Sequence, residues 1–178
     1  MIHESCYWKL PLLEAATRLQ ALTGPGELGE EQLAQIERDL FISFYAIRKL
    51  LEAPAKLTDA AHALNVSLTC HPNREPVTHR NNHKIDELYD LDVATPTTLP
   101  IRSACNQIIH SFVFTICERE HGGLAGVFFA SDRNKNSQLY FLDAAEIVKT
   151  FEHIGNDKPV SIKWSCDPRT GKETMEVR

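Results

Sequence analysis

Apolar residues recur at spacings of three and four through the first third of the chain, which is the pattern of amphipathic helices. After Pro11, which suits an early helical position, this rhythm runs through Leu12, Ala16 and Leu19. It stops at the glycine- and proline-rich residues 23–26. We therefore predict a first helix that ends shortly before this turn.

A second and longer pattern covers residues 30–53, with apolar residues at Leu33, Ile36, Leu40, Phe44, Ile47 and Leu51. Acidic residues lie in its first turns, whereas Arg48 and Lys49 lie near its end, and both placements suit the helix dipole. Pro54 then ends the element. A short helix over residues 56–64, capped by Thr58 or Asp59, is predicted to follow.

The middle of the chain has weaker patterns. Residues 66–78 alternate around a Pro-Asn-Arg-Glu-Pro turn and predict a small hairpin or an ordered loop. Asn82 is suited to cap a helix reaching about residue 91, and residues 92–97 form a connector. Thr98 is then predicted to cap a helix that carries Pro100 in its first turn and continues to His110.

After His110 the sequence becomes typical of strands. Residues 111–119 are rich in β-branched and aromatic residues, although a helix continuing through Phe112 and Val113 is an alternative. Glycines, and then residues 132–136, separate two further strand patterns, which predicts an antiparallel meander. Asp143 caps a predicted helix reaching about residue 153, and a last hairpin closes around residues 167–171.

These elements predict an α+β fold, in which an N-terminal helical bundle is followed by a C-terminal antiparallel β-meander with one helix. We divide the chain into a helical part over residues 1–110 and a sheet part over residues 111–178. The 178 residues are enough for one core with an appendage, so we expect the two parts to pack as a single domain.

Charge and composition limit the partners and the cellular location that we expect for the protein. The net charge of −5 argues against a protein-wide nucleic-acid surface, so a polyanion would have to bind a local basic patch. No apolar run is long enough to span a membrane, and the N-terminus lacks a basic leader followed by an apolar stretch. The five cysteines are scattered without a CxxC pair, which favours reduced thiols. We expect a cytoplasmic protein that makes no membrane contact.

Three polar residues in the helix before His110 form the most specific pattern. Arg102, Asn106 and His110 are four residues apart, so they lie along one side of a helix. The opposite side is suited to the core because it carries Ala104, Cys105, Ile108 and Ile109. A polar row on an otherwise buried helix needs partners or lines a site.

The segment from Cys105 to His110 resembles the motif of the HEPN superfamily. Members are small helical bundles in which an Arg, commonly followed by Asn, precedes a His by a few residues. Asn106, His110 and the apolar residues between them match, whereas Cys105 stands where the family usually has Arg. The resemblance implies a helical part over roughly residues 30–112, a homodimer and a metal-independent ribonuclease site shared by two protomers.

Because Cys105 is not basic, another residue would have to supply the cation. Arg102 lies one turn before Asn106, and Arg48 could approach if the two helices pack. A guanidinium would stabilise charge on a scissile phosphate while His110 transfers a proton and the RNA 2′-hydroxyl attacks. We thus predict an RNA-binding protein or endoribonuclease, with catalytic residues His110, Asn106 and Arg102 or Arg48. The family often works in defence or toxin systems.

The same residues have a structural interpretation. His110 suits a helix end where it contacts terminal carbonyls, Asn106 suits a helix contact, and Arg102 suits a solvated first turn. The missing Arg at Cys105 favours this view. The alternative function is therefore a noncatalytic protein-interaction module, such as an accessory or immunity-type protein.

Other candidate sites are weaker, and we expect no cofactor and no metal. A zinc site would draw on Cys70, His71, His79 and His83, but adjacent ligands are poorly placed, and a polar loop is the simpler interpretation. Cysteine–histidine pairs at Cys105 and His110, or at Cys117 and His121, are better explained by buried inert thiols.

A nucleic-acid surface on the predicted sheet is a further hypothesis. Cations lie at the turns over residues 132–136 and 168–172, and Tyr140, Phe141 and Trp164 are near them in sequence. Aromatic side chains on a sheet can stack bases. Solvated hairpin turns and a core-facing strand explain the same residues. The common glycine-rich phosphate loops, the GxSxG elbow and HExxH are absent from the sequence.

Overall fold

The computed structural model describes residues 2–178, which form six helices and seven strands. The helices are α1 (Cys6–Ala21), α2 (Glu30–Glu52), α3 (Asp59–His62), α4 (Ile85–Leu88), α5 (Ile101–Ile109) and α6 (Ala144–Asn156). The strands are β1 (Asn65–Pro72), β2 (Thr95–Pro100), β3 (Ser111–Glu118), β4 (Leu124–Ser131), β5 (Gln138–Asp143), β6 (Ile162–Cys166) and β7 (Glu173–Val177). The fold is α+β, as predicted.

Five strands form an antiparallel sheet in the order β2-β1-β5-β4-β3, and β6 and β7 form a separate hairpin. β1 is internal because it pairs with β2 on one side and with β5 on the other, where Cys70 lies opposite Tyr140. The sheet therefore draws strands from both sides of residue 110 in the chain.

The two faces of the sheet carry different cores. Residues from α1, α2, α5 and α6 pack on one face, where the rings of Phe44 and Phe151 are 5.2 Å apart. On the other face, Val77 and Tyr89, from the segment between β1 and β2, pack with Val113 and other strand residues in a smaller core. The alternation of side chains along a strand separates these two cores.

The strongest sequence patterns give the elements that were predicted from them. Helix α2 matches its pattern closely, and the side chain of Thr58 caps α3 by accepting a hydrogen bond from the Ala61 amide. Asp143 caps α6 by accepting from the Ala145 amide at 2.7 Å. Strands β3, β4 and β5 form the predicted meander, and the last hairpin pairs β6 with β7.

The middle of the chain differs from its predictions. The expected hairpin or loop over residues 66–78 is largely strand β1, and the expected connector is partly strand β2. Thr98 does not cap α5, because it belongs to β2 and pairs there with Ser67 of β1. The N-cap residue of α5 is Pro100. Prolines are tolerated in β2 because it is an edge strand.

Two helix predictions in this region are also corrected. The helix expected from Asn82 to about residue 91 is a single turn over Ile85–Leu88. The alternative of a helix through Phe112 and Val113 is wrong, because both residues belong to β3. In both places, long-range contacts outweigh the local pattern: the Asn82 side chain donates to the Phe112 carbonyl at 3.2 Å.

A buried ion pair joins α1 to Asp157, the residue that follows α6. The Lys9 ammonium of α1 donates to the Asp157 carbonyl at 2.5 Å and lies 3.5 Å from its carboxylate. That carboxylate also accepts hydrogen bonds from the amide and hydroxyl of Thr58. One carboxylate thus connects α1, α3 and the end of α6.

None of the helices within residues 2–178 has both the length and the apolar character needed to cross a membrane.

Candidate functional site

Helices α2 and α5 pack side by side, and their contact brings Arg48 to Asn106. The buried residues of α5 are Ile101, Ala104, Cys105 and Ile108, so the row of Arg102, Asn106 and His110 stays on its exposed side. The Arg48 Nε donates a hydrogen bond to the Asn106 Oδ1 at 2.9 Å. The structure therefore brings together two of the four predicted site residues, from helices distant in sequence.

The Arg48 guanidinium has a second partner in its own helix. Its terminal nitrogen lies 2.7 Å from a carboxylate oxygen of Glu52, one helical turn later, in a half-buried ion pair. Lys49 donates to the other oxygen of Glu52 at 3.1 Å. The hydrogen bond from Lys49 and the charges of Arg48 and Arg102 hold the pKa of Glu52 below its ordinary value. Glu52 is therefore ionised at neutral pH and anchors the surrounding cations.

Arg102 has a structural contact. Its guanidinium donates to the Leu51 carbonyl at 2.9 Å, in the last turn of α2. The last carbonyls of a helix lack partners within the helix, so Arg102 satisfies one of these groups. Of the two predicted cations, Arg102 caps α2, whereas Arg48 contacts Asn106.

His110 ends α5 and begins the path into the sheet. Its amide donates to the Asn106 carbonyl at 3.1 Å, and its own carbonyl accepts from the Asp132 amide at 3.3 Å. The residue is exposed, and it follows Asn106 by one helical turn. His110 is therefore open to solvent at the C-terminal end of the polar row.

Cys105 lies in the core, on the side of α5 opposite this row. The residue is 0% exposed, and burial raises the pKa of its thiol to about 12. The thiol is thus protonated at neutral pH, which makes it a poor nucleophile. A side chain at this position points inward, and the guanidinium that contacts Asn106 comes from Arg48.

The residues considered for zinc are dispersed among other contacts. The Cys70 thiol donates to the Gln138 side chain at 3.3 Å. His71 is buried against Phe128, and the His79 ring lies 4.5 Å from the ring of Phe112. Throughout residues 2–178, no three His, Cys, Asp or Glu side chains gather in a geometry that could hold a metal ion.

The aromatic residues proposed for a sheet surface do not share one. Tyr140 is only 4% exposed and packs in the larger core near Phe129. Phe141 lies on the other face, 4.8 Å from Phe128, because neighbouring residues of a strand point to opposite faces. Trp164 belongs to the separate hairpin. The prediction of one stacking surface formed by these three residues is wrong.

Sequence reasoning missed two members of the site, Leu51 and Glu52. The Glu52 carboxylate was open to prediction, because Arg48 and Glu52 are four residues apart on one helix. The role of the Leu51 carbonyl was not, because a backbone acceptor leaves no sequence signal.

No protein-family model matches the chain, and no match was found among curated proteins or solved structures.

Proposed function

We propose that the exposed side of α5, with Arg48 beside it, is an RNA-binding and metal-independent ribonuclease site. The observation that supports this is the 2.9 Å hydrogen bond from Arg48 to Asn106. It holds a guanidinium next to the helical row that ends at His110. The site then has a cation for a phosphate and an imidazole for proton transfer.

The chemistry assigns a step to each residue. The RNA 2′-oxygen forms a bond to the adjacent phosphorus, and the bond from phosphorus to the 5′-oxygen breaks. His110 takes the proton of the 2′-hydroxyl, and water supplies a proton to the leaving 5′-oxygen. Arg48 stabilises the charge that builds on the phosphate oxygens, and Asn106 orients Arg48. The products carry a 2′,3′-cyclic phosphate and a 5′-hydroxyl.

The proposal includes a homodimer, as the HEPN resemblance implies. Helix α2 exposes Ile42 and Tyr45 in the two turns before Arg48, and large apolar side chains on a helix surface suit a helix partner. We place the second copy against this part of α2, so that the two sites lie near one interface. We also propose a cytoplasmic location, since all five cysteines are free thiols.

The test is a ribonuclease assay with EDTA present. Wild type and His110→Ala are incubated with a pool of single-stranded and structured RNAs, and product ends are identified by mass spectrometry. The proposal expects cyclic-phosphate ends from wild type alone. Equal cleavage by both proteins would reject His110 as the catalytic group.

A second candidate is a noncatalytic protein-interaction module, and one observation favours it. Both guanidinia already have protein partners, since Arg48 pairs with Glu52 and Arg102 bonds to the Leu51 carbonyl. A site made to bind RNA phosphates would have to share or release the Glu52 contact. Absence of cleavage by wild type in the same assay would favour this function.

A further inference from the structure

Three segments of the chain meet at one end of the five-stranded sheet. They are residues 77–84, residues 110–112 where α5 passes into β3, and the turn over residues 131–136 between β4 and β5. The Val77 amide donates to the Asn136 side chain at 2.7 Å, and the Asn82 side chain donates to the Phe112 carbonyl at 3.2 Å. The Asp132 amide bonds to the His110 carbonyl, so the third segment is joined to the other two.

These segments are rich in cations although the protein carries a net charge of −5. Their basic side chains are Arg80, Lys84, Arg133 and Lys135, their imidazoles are His79, His83 and His110, and Asp132 is their carboxylate. We call this group the basic corner. It is a local concentration of positive charge in an acidic protein.

The structure shows which of these cations are already neutralised. Lys135 pairs with Asp132 at 2.5 Å, and Lys84 pairs with Glu87 at 3.1 Å. Within residues 2–178, no carboxylate lies within ion-pair distance of Arg80 or Arg133, and both residues are exposed. These two guanidinia are therefore available for an anionic ligand.

The surroundings of Phe112 hold the corner in place. The Lys135 ammonium lies 3.5 Å from the centre of the Phe112 ring, and the His79 ring lies 4.5 Å from it. The hydrogen bond from Lys135, followed by its charge and that of His79, lowers the pKa of Asp132. The contacts of Lys135 and His79 with the Phe112 ring thus connect all three segments.

We infer that the basic corner binds the phosphate backbone of single-stranded RNA, next to His110. Arg80 and Arg133 are the contacts, because a guanidinium matches a phosphate with paired N–H donors. The corner includes His110, so an RNA strand bound there passes beside the proposed catalytic imidazole. This inference rests on the proposed function in identifying RNA as the polyanion.

The experiment measures binding separately from cleavage. A fluorescent single-stranded oligonucleotide with 2′-O-methyl groups binds as RNA does but has no free 2′-hydroxyl for cleavage. Fluorescence anisotropy gives its affinity at several salt concentrations for wild type and for the double variant Arg80→Gln/Arg133→Gln. The matched control is Lys158→Gln/Lys163→Gln, which removes two exposed cations outside the basic corner.

We expect the arginine variant to bind about tenfold more weakly, and its salt dependence to fall by about 1.4 in the slope of log affinity against log salt, as two lost phosphate contacts predict. The lysine control should match wild type. Equal affinity of the arginine variant and wild type would overturn the inference, as would an equal loss in the control. Failure of the ribonuclease assay together with a selective loss here would reject cleavage while retaining the basic corner as an RNA-binding surface.

Discussion

Arg48 and Asn106 are 58 residues apart in the chain, yet the Arg48 Nε donates to the Asn106 Oδ1 at 2.9 Å. The contact is possible because α2 and α5 bury their apolar sides in the same core. It places a guanidinium beside Asn106, which the neighbouring Cys105 cannot supply because it faces inward. This relationship carries the proposed function.

The two arginines of the site are predicted to respond differently to substitution. Arg48→Gln should lower the RNA cleavage rate by about a hundredfold, because it removes the cation that stabilises the phosphate charge. Arg102→Gln should leave the rate near that of wild type and lower the free energy of unfolding by about 1 kcal/mol, because the Leu51 carbonyl loses its partner. Single-turnover cleavage and urea unfolding measure the two effects. The reverse pattern in cleavage would identify Arg102 as the catalytic cation.

Cys105 should be inert in the folded protein and should make stability depend on alkaline pH. Burial raises the pKa of its thiol from an ordinary 9.0 to about 12. The unfolded chain therefore loses this proton above about pH 9 while the folded protein keeps it, so stability should fall as pH rises from about 9 towards 12. Urea unfolding at several alkaline pH values should show a shallower fall for Cys105→Ala than for wild type.

Alkylation gives an independent check on Cys105. Iodoacetamide at neutral pH should modify the exposed Cys6 and Cys166 before Cys105, which should react only after unfolding. Peptide mass spectrometry identifies the modified residues. Rapid modification of Cys105 in the folded protein would show that this side of α5 is open to solvent.

Removing Asp157 is predicted to destabilise the protein more than removing its buried partner Lys9. Burial lowers the pKa of Lys9, while Asp157 raises it through charge and a hydrogen bond. Asp157→Ala leaves the buried ammonium without its carboxylate and should lower the free energy of unfolding by about 3 kcal/mol or more. Lys9→Met replaces the cation with an apolar chain and should cost less. Equal losses in thermal or urea unfolding would contradict this account of the pair.

The exposed apolar residues of α2 predict the assembly state. Ile42 is 59% exposed and Tyr45 is 48% exposed, on the part of α2 that precedes Arg48. We expect a dimer at micromolar concentration by light scattering, and a monomer for Ile42→Glu because a buried charge would destabilise the interface. Ser165→Glu, on the separate hairpin, is the control for added charge. A monomeric wild type would remove the shared-site part of the proposal.

Prediction from sequence was most successful where one local pattern determines the element. The apolar spacing of α2 and the cap at Asp143 are local signals, and the structure retains both. Strand β1 was unclear because its pairing with β2 and β5 depends on residues far along the chain. The same reason explains why the sequence wrongly predicts Thr98 as a helix cap: it lies just before α5, but it pairs with Ser67 in the sheet.

The candidate site likewise has features that local sequence predicts and features that depend on tertiary packing. The row of Arg102, Asn106 and His110 follows from helical geometry alone, and the structure keeps it on the exposed side of α5. The choice between Arg48 and Arg102 as the partner of Asn106 required the packing of α2 on α5. The sequence indicates the cations of the turn over residues 132–136, but it does not show that residues 77–84 and 110–112 lie beside them, because these contacts are long-range.

The most direct test of the central claim is the rate of RNA cleavage in EDTA by wild type, His110→Ala and His121→Ala. The last variant removes another exposed histidine, outside the polar row of α5, and so controls for the loss of an imidazole. We predict equal rates for wild type and His121→Ala, with cyclic-phosphate ends, and a loss of about a hundredfold or more for His110→Ala. Cleavage by His110→Ala at the wild-type rate would contradict the account.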